Sequence, residues 1–151
     1  MQLCDVVRET GFAIHRYHRH GHLEKVYENA LAHRLRKLGL EVRQQHPLRV
    51  YDEDGTVIGE YNADLFVNNR LIIELKAAKA LADEPVAQIL GYRRASRVGH
   101  GLLINFGAPK FEIKKYALSQ ADEPGNSGGL TRKLLSVFAA FAPFCGNLFR
   151  L

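Results

Sequence analysis

The chain has 151 residues, of which 46% are hydrophobic and 25% charged, the balance of a water-soluble globular protein with length for one cored domain. Its net charge of +5 points to polyanionic partners, nucleic acid before an anionic membrane surface. Two cysteines, Cys4 and Cys145, are too few for an iron–sulfur cluster or a four-cysteine zinc site and fit a reducing compartment.

The first residues, MQLCDVVRETG, lack a charged segment followed by an apolar run, so no signal peptide is expected. No stretch of about 18 apolar residues is present to span a bilayer, and the expected location is cytoplasmic. Leu3, Val6, Val7, Thr10, Ala13, Ile14 and Tyr17 recur at helical spacing and predict an amphipathic helix over 3–19. After a polar link over 18–22, a second helix is predicted over 23–38. Its apolar stripe would be Leu23, Val26, Tyr27, Ala30, Leu31, Leu35 and Leu38, with Gly39 just past its end.

From Glu41 the period falls to two, predicting strands over 42–48 and 49–51, a turn at Asp52-Glu53-Asp54-Gly55, and a further strand from Thr56. The stretch 61–76, YNADLFVNNRLIIELK, reads as a hairpin turning at Asn68-Asn69. A two-residue loop would put Asp64 and Glu74 on opposite faces. A three-residue loop over 68–70 pairs Val67 with Leu71, sets Asp64 across from Glu74, and gathers Leu65, Val67, Leu71, Ile73 and Leu75 on one apolar face. Register follows the buried pattern, so the second arrangement is expected. Two carboxylates facing each other repel unless a cation lies between them, and oxygen ligands of this kind suit Mg²⁺ or Mn²⁺. Lys76 shares the face of Glu74, because residues two apart on a strand point the same way.

Beyond an ambiguous alanine-rich segment, Asp83 and Pro85 open a helix predicted to run to about Arg97. Strands are expected over 101–106 and 110–116. Residues 120–129 read as a linker, and 130–151 as an apolar extension able to dock a protein partner or a second copy. The predicted domain is therefore 1–119.

The ordered set of helices, strands, an acid, and Glu74-Leu75-Lys76 resembles the PD-(D/E)XK nuclease superfamily. The proline of the Pro-Asp pair is replaced by Ala63. Gly21, Glu24 and Tyr27 form Gly-x-x-Glu-x-x-Tyr, which resembles the small bacterial GxxExxY family within that superfamily. His15, the hairpin, Gln88 with Tyr92, and Leu102 to Gly107 look like that family too. The resemblance spans about 3–117, with Arg19-His20 standing where Gly-Pro is more typical.

It implies an α/β fold with a central mixed sheet flanked by helices, and metal-dependent hydrolysis of nucleic acid, DNA before RNA. Asp64 and Glu74 would ligate the metal with the Leu75 carbonyl, and Glu24 would complete the site. Lys76 would orient or help deprotonate the attacking water. Gln88 and Tyr92 resemble the Gln-x-x-x-Tyr motif of RecB-type nucleases, whose glutamine helps position the lysine or substrate. Arg93, Arg94 and Arg97 supply a basic helix end suited to phosphates, and Tyr27 either joins them or packs.

Competing readings are weaker. Glu24 near a helix start is favoured by the dipole alone. His15, His18, His20 and His22 suggest zinc, but no Cys, Asp or Glu joins them at ligand spacing. No nucleophile elbow or phosphate-binding loop is present. A non-catalytic nucleic-acid-binding module or a partner-docking subunit on the same fold remains the alternative.

Overall fold

The computed structural model describes residues 2–81, 91 and 98–117. Apart from Gly91, the helix expected over 83–97 lies outside the described residues, as does the extension over 120–151. Within them, the helices α1 (Leu3–His18) and α2 (Glu24–Lys37) precede strands β1 (Val42–Tyr51), β2 (Val57–Val67), β3 (Leu71–Lys76), β4 (His100–Asn105) and β5 (Glu112–Ala117). The strands form one sheet in the order β1-β2-β3-β4-β5. Only β3 and β4 run parallel, so the sheet is mixed, as expected. No helix among the described residues is long and apolar enough to cross a membrane.

The helices cover one face of this sheet. Leu65, Val67, Leu71, Ile73 and Leu75, the apolar side anticipated for the hairpin, pack with Leu102, Ile104 and Phe106 against Val7, Ile14, Tyr27, Leu31 and Leu35. On the other face Leu48, Phe66, Ile72, Leu103 and Tyr116 form a second cluster. Gly11 lies inside α1 because Phe111 packs on the backbone there; a Cβ would come within 3.0 Å of the Phe111 ring.

Both helices are rotated from the expected stripes. Tyr17 is 76% exposed and Leu23 78%, and Val26 and Leu38 are also exposed, while His15 and Glu28 are buried instead. The physical reason is polar. His15 Nε2 hydrogen-bonds the Ala108 carbonyl at 2.9 Å, and Glu28 accepts from Lys25, Gln44 and Gln45. Hydrophobic periodicity alone scores such residues as surface.

The ends of the helices follow local chemistry. Gly39, at φ +80°, lets its own N–H bond the Arg36 carbonyl at 2.9 Å and the Leu40 N–H bond that of Leu35 at 3.2 Å, a Schellman stop for α2. At the end of α1, Arg19 adopts φ 61° and ψ −169°, a region that glycine enters freely and other residues enter only under strain. Its carbonyl accepts the Tyr27 hydroxyl at 2.6 Å, which helps hold the conformation. Arg19→Gly is expected to stabilise the protein by about 1 kcal/mol. An unchanged or lower urea midpoint would contradict that.

Candidate active site

The hairpin sets the site. β2 and β3 pair through Val67–Leu71, Phe66–Ile72 and Leu65–Ile73, the register of a three-residue loop. Asn68 and Asn69 both take left-handed backbone angles, at φ 49° and 53°, which asparagine tolerates better than most residues. The paired ladder ends at Leu65–Ile73. Beyond it Asp64 Oδ2 accepts the Leu75 N–H at 2.7 Å, so a carboxylate takes the place of a strand carbonyl.

Glu74 is buried, and its Oε1 accepts from Lys76 Nζ at 2.6 Å. Burial, reinforced by the negative charge of Asp64, pushes the Glu74 carboxyl up to about 7 despite that lysine. Asp64 is raised chiefly by burial, against the Leu75 N–H and the Gln45 amide that pull it down. Glu24 is also raised, by burial first, and feels Lys76, Asp64, the Ala77 N–H and Glu28. For Lys76, burial alone would lower the value, but Glu74, Glu24 and Asp64 together raise it above the ordinary lysine range. The first turn of α2 therefore faces the hairpin acids, and Glu24, Asp64, Glu74 and Lys76 form one electrostatic unit.

This unit suits a divalent cation. Glu74 Oε2 is buried and has no hydrogen-bond partner among the described residues, and repulsion from neighbouring carboxylates adds to the burial that raises the acids' pKa values. Among the described residues no three carboxylate, imidazole or thiol groups stand close enough together to hold an ion. Mg²⁺ commonly needs only one or two carboxylates from a protein, with water and phosphate oxygens supplying the remainder.

A family model described as the PD-(D/E)XK nuclease superfamily matches residues 1–116. The chain belongs to the PD-(D/E)XK nuclease superfamily. No curated protein and no solved structure matches it. The fold brings Asp64, Glu74 and Lys76 together.

Behind this cluster lies a buried support that sequence reading missed. Asn105, at the end of β4, is fully buried. Its Oδ1 accepts the N–H groups of Ala78 at 3.1 Å and Gly107 at 3.0 Å. Its Nδ2 donates to the Ala78 carbonyl at 2.9 Å and Glu112 Oε2 at 2.8 Å. Together with the Phe106 N–H on the Lys76 carbonyl at 2.8 Å, this fixes the backbone directly after Lys76. The only sequence signal was an asparagine inside the apolar run Leu102 to Phe106.

Other expected residues fare differently. Tyr27 is not a phosphate contact: it is fully buried, stacked on Phe106 at 4.7 Å between ring centroids, with its hydroxyl on Arg19. The apolar stack and the hydroxyl's partner account for the tyrosine. Of the four histidines, His15 is turned into the core beside Phe106 and Phe111. Leu75 has its side chain in the core. Gln88, Tyr92, Arg93, Arg94 and Arg97 lie outside the described residues.

The raised acid values carry a prediction for the metal-free protein. An acid whose folded pKa exceeds its unfolded one holds its proton more tightly when folded, so stability falls as pH rises between the two values. For Glu74 that window runs from its ordinary 4.5 to about 7, worth about 3 kcal/mol; Asp64 and Glu24 act with the same sign. Urea denaturation in EDTA is expected to show lower stability at pH 8 than at pH 5, with most of the difference lost in Glu74→Gln. Equal stability at both pH values would refute this.

Proposed function

We propose that this chain is a metal-dependent nuclease hydrolysing phosphodiester bonds of nucleic acid, DNA before RNA. The observation that carries the reading is the charge-coupled pair Asp64 and Glu74, with Lys76 on one Glu74 oxygen and the other buried and without a hydrogen bond among the described residues. Within its superfamily we assign the chain to the GxxExxY type on Gly21, Glu24 and Tyr27, with Glu24 turned towards the acids. The preference for DNA rests on that resemblance and the net charge of +5.

Asp64 and Glu74, with the Leu75 carbonyl, would hold Mg²⁺ or Mn²⁺, and Glu24 would complete the site through a metal-bound water rather than as a direct ligand. Such an ion supplies positive charge to the phosphate and makes a nearby water more acidic. Lys76, kept cationic by its acidic neighbours, orients the water and offsets phosphate charge. A proton-accepting role for Lys76 is disfavoured as long as Glu74 is ionised beside it. The Leu75 N–H and the Gln45 amide hold Asp64, and Asn105 holds the chain that follows Lys76. Arg93, Arg94 and Arg97 are assigned to the phosphate backbone, and Gln88 and Tyr92 to substrate or lysine positioning.

The test is cleavage of linear, circular and single-stranded DNA, and of RNA, in Mg²⁺, Mn²⁺ or EDTA, with Asp64→Asn as control. Cutting that needs metal and Asp64 is the expected result, and the circular substrate separates endonuclease from exonuclease action. Cutting that survives Asp64→Asn would withdraw the site. Salt-sensitive binding with no cutting would favour a binding module.

A further inference from the structure

We propose that Gln45 is a positioning residue that sets the Asp64 carboxylate for a divalent cation, and that buried Glu28 holds Gln45 in place. The inference rests on the metal-dependent reading above. Gln45 lies in β1 at φ 49°, a left-handed angle uncommon for glutamine. The strand pairs on either side, Gln44–Leu65 and His46–Ala63, are intact, and the interrupted position is the one opposite Asp64. β1 runs as one strand from Val42 to Tyr51 through this position. Irregularities that re-aim one side chain within a strand gather beside functional sites.

The re-aimed side chain has two destinations. Gln45 Nε2 donates to Asp64 Oδ1 at 3.2 Å and to Glu28 Oε2 at 2.9 Å, so its two amide protons serve two carboxylates. The other Asp64 oxygen accepts the Leu75 N–H. With one donor on each oxygen the carboxylate is fixed in rotation, and each oxygen keeps a lone pair for a cation. Glu28 is only 3% exposed and is anchored on its other oxygen by Lys25 Nζ at 2.6 Å and Gln44 Nε2 at 2.9 Å. A buried carboxylate and a strained glutamine both work against stability. Their shared product is the orientation of Asp64, as partners behind a ligand commonly orient it.

Gln45→Asn and Gln45→Gly separate this role from a structural one. Asparagine and glycine accept the left-handed angle better than glutamine, while the first is one methylene too short to bridge and the second has no amide. Mn²⁺ binding would be followed by electron paramagnetic resonance of the free ion, and thermal midpoints measured in EDTA. The expected result is a midpoint close to that of the parent, relief of the left-handed strain offsetting the lost hydrogen bond on Glu28, with Mn²⁺ affinity weakened about tenfold or more. Variants that bind Mn²⁺ as the parent does would overturn the role of Gln45 and leave the metal site standing. Variants whose affinity and midpoint fall together would make Gln45 a structural residue and overturn the proposal. A parent that binds no Mn²⁺ would remove the metal reading and this inference with it.

Discussion

Changing Lys76 to alanine is expected to reduce metal-dependent cleavage by roughly a thousandfold or more, since charge stabilisation at a phosphate is worth several kcal/mol. Lys76 is 22% exposed and donates to a Glu74 carboxylate that is 3% exposed. Its ammonium is therefore near the acids and still open to a substrate. Removing it also leaves Glu74 buried without its cation, a change that is strongly destabilising when the remaining charge cannot be discharged. Here it can be: with its carboxyl already raised to about 7, Glu74 takes up a proton instead. The variant should thus remain folded and lose little stability at pH 5, and lose more at pH 8. Lys76→Arg keeps the charge but replaces a compact ammonium with a planar fork, and is expected to restore stability at pH 8 without restoring cleavage. The measurements are cleavage rate with Mg²⁺ or Mn²⁺ and urea midpoints at the two pH values. Alanine cutting at the parental rate would remove Lys76 from the mechanism, whatever the midpoints show.

The parts of this molecule that were legible beforehand are those where one pattern fixes the answer. The hairpin register could be chosen from sequence because only one pairing buries Leu65, Val67, Leu71, Ile73 and Leu75 together, and that choice alone set Asp64 across from Glu74. Gly39 was legible because a helix end there asks for a left-handed residue. Glu28, Gln45 and Asn105 were illegible for a common reason. Each is a polar residue whose role depends on a partner distant in sequence: Glu28 on Gln45, Gln45 on Asp64, Asn105 on Ala78 and Glu112. Periodicity counts such residues as surface, and the helix stripes are rotated from it because His15 and Glu28 are buried. Arg19 shows the same limit from the other side. The resemblance leads one to expect glycine there, but the strain that Arg19 carries depends on backbone angles that no residue pattern displays.

Among the described glycines, Gly107 is the position where a single added carbon should do most damage to the fold. A Cβ built there overlaps the carbonyl carbon of Ala77 and the nitrogen of Ala78, and lies 2.7 Å from the Ala77 carbonyl oxygen. These are backbone atoms, so no rotamer change can relieve the overlap; the chain after β3 must move. That chain is tied down, because the Ala78 N–H and carbonyl both bond Asn105 and the Lys76 carbonyl accepts the Phe106 N–H. Shifting it breaks hydrogen bonds of buried groups, each worth about 1–3 kcal/mol when left unpaired. Gly107→Ala is therefore expected to cost about 4 kcal/mol or more. Gly59→Ala is the matched control. Nothing lies within 4 Å of a Cβ there, and the change should stay within about 0.5 kcal/mol or stabilise slightly. Chemical denaturation of the two variants decides the matter, and a Gly107→Ala cost below about 1 kcal/mol would mean the Ala77–Ala78 backbone is free to yield. Because the displaced peptide adjoins Lys76, any folded fraction of Gly107→Ala should also lose cleavage. Packing at one glycine thus connects the stability of the chain just after β4 to the placement of Lys76.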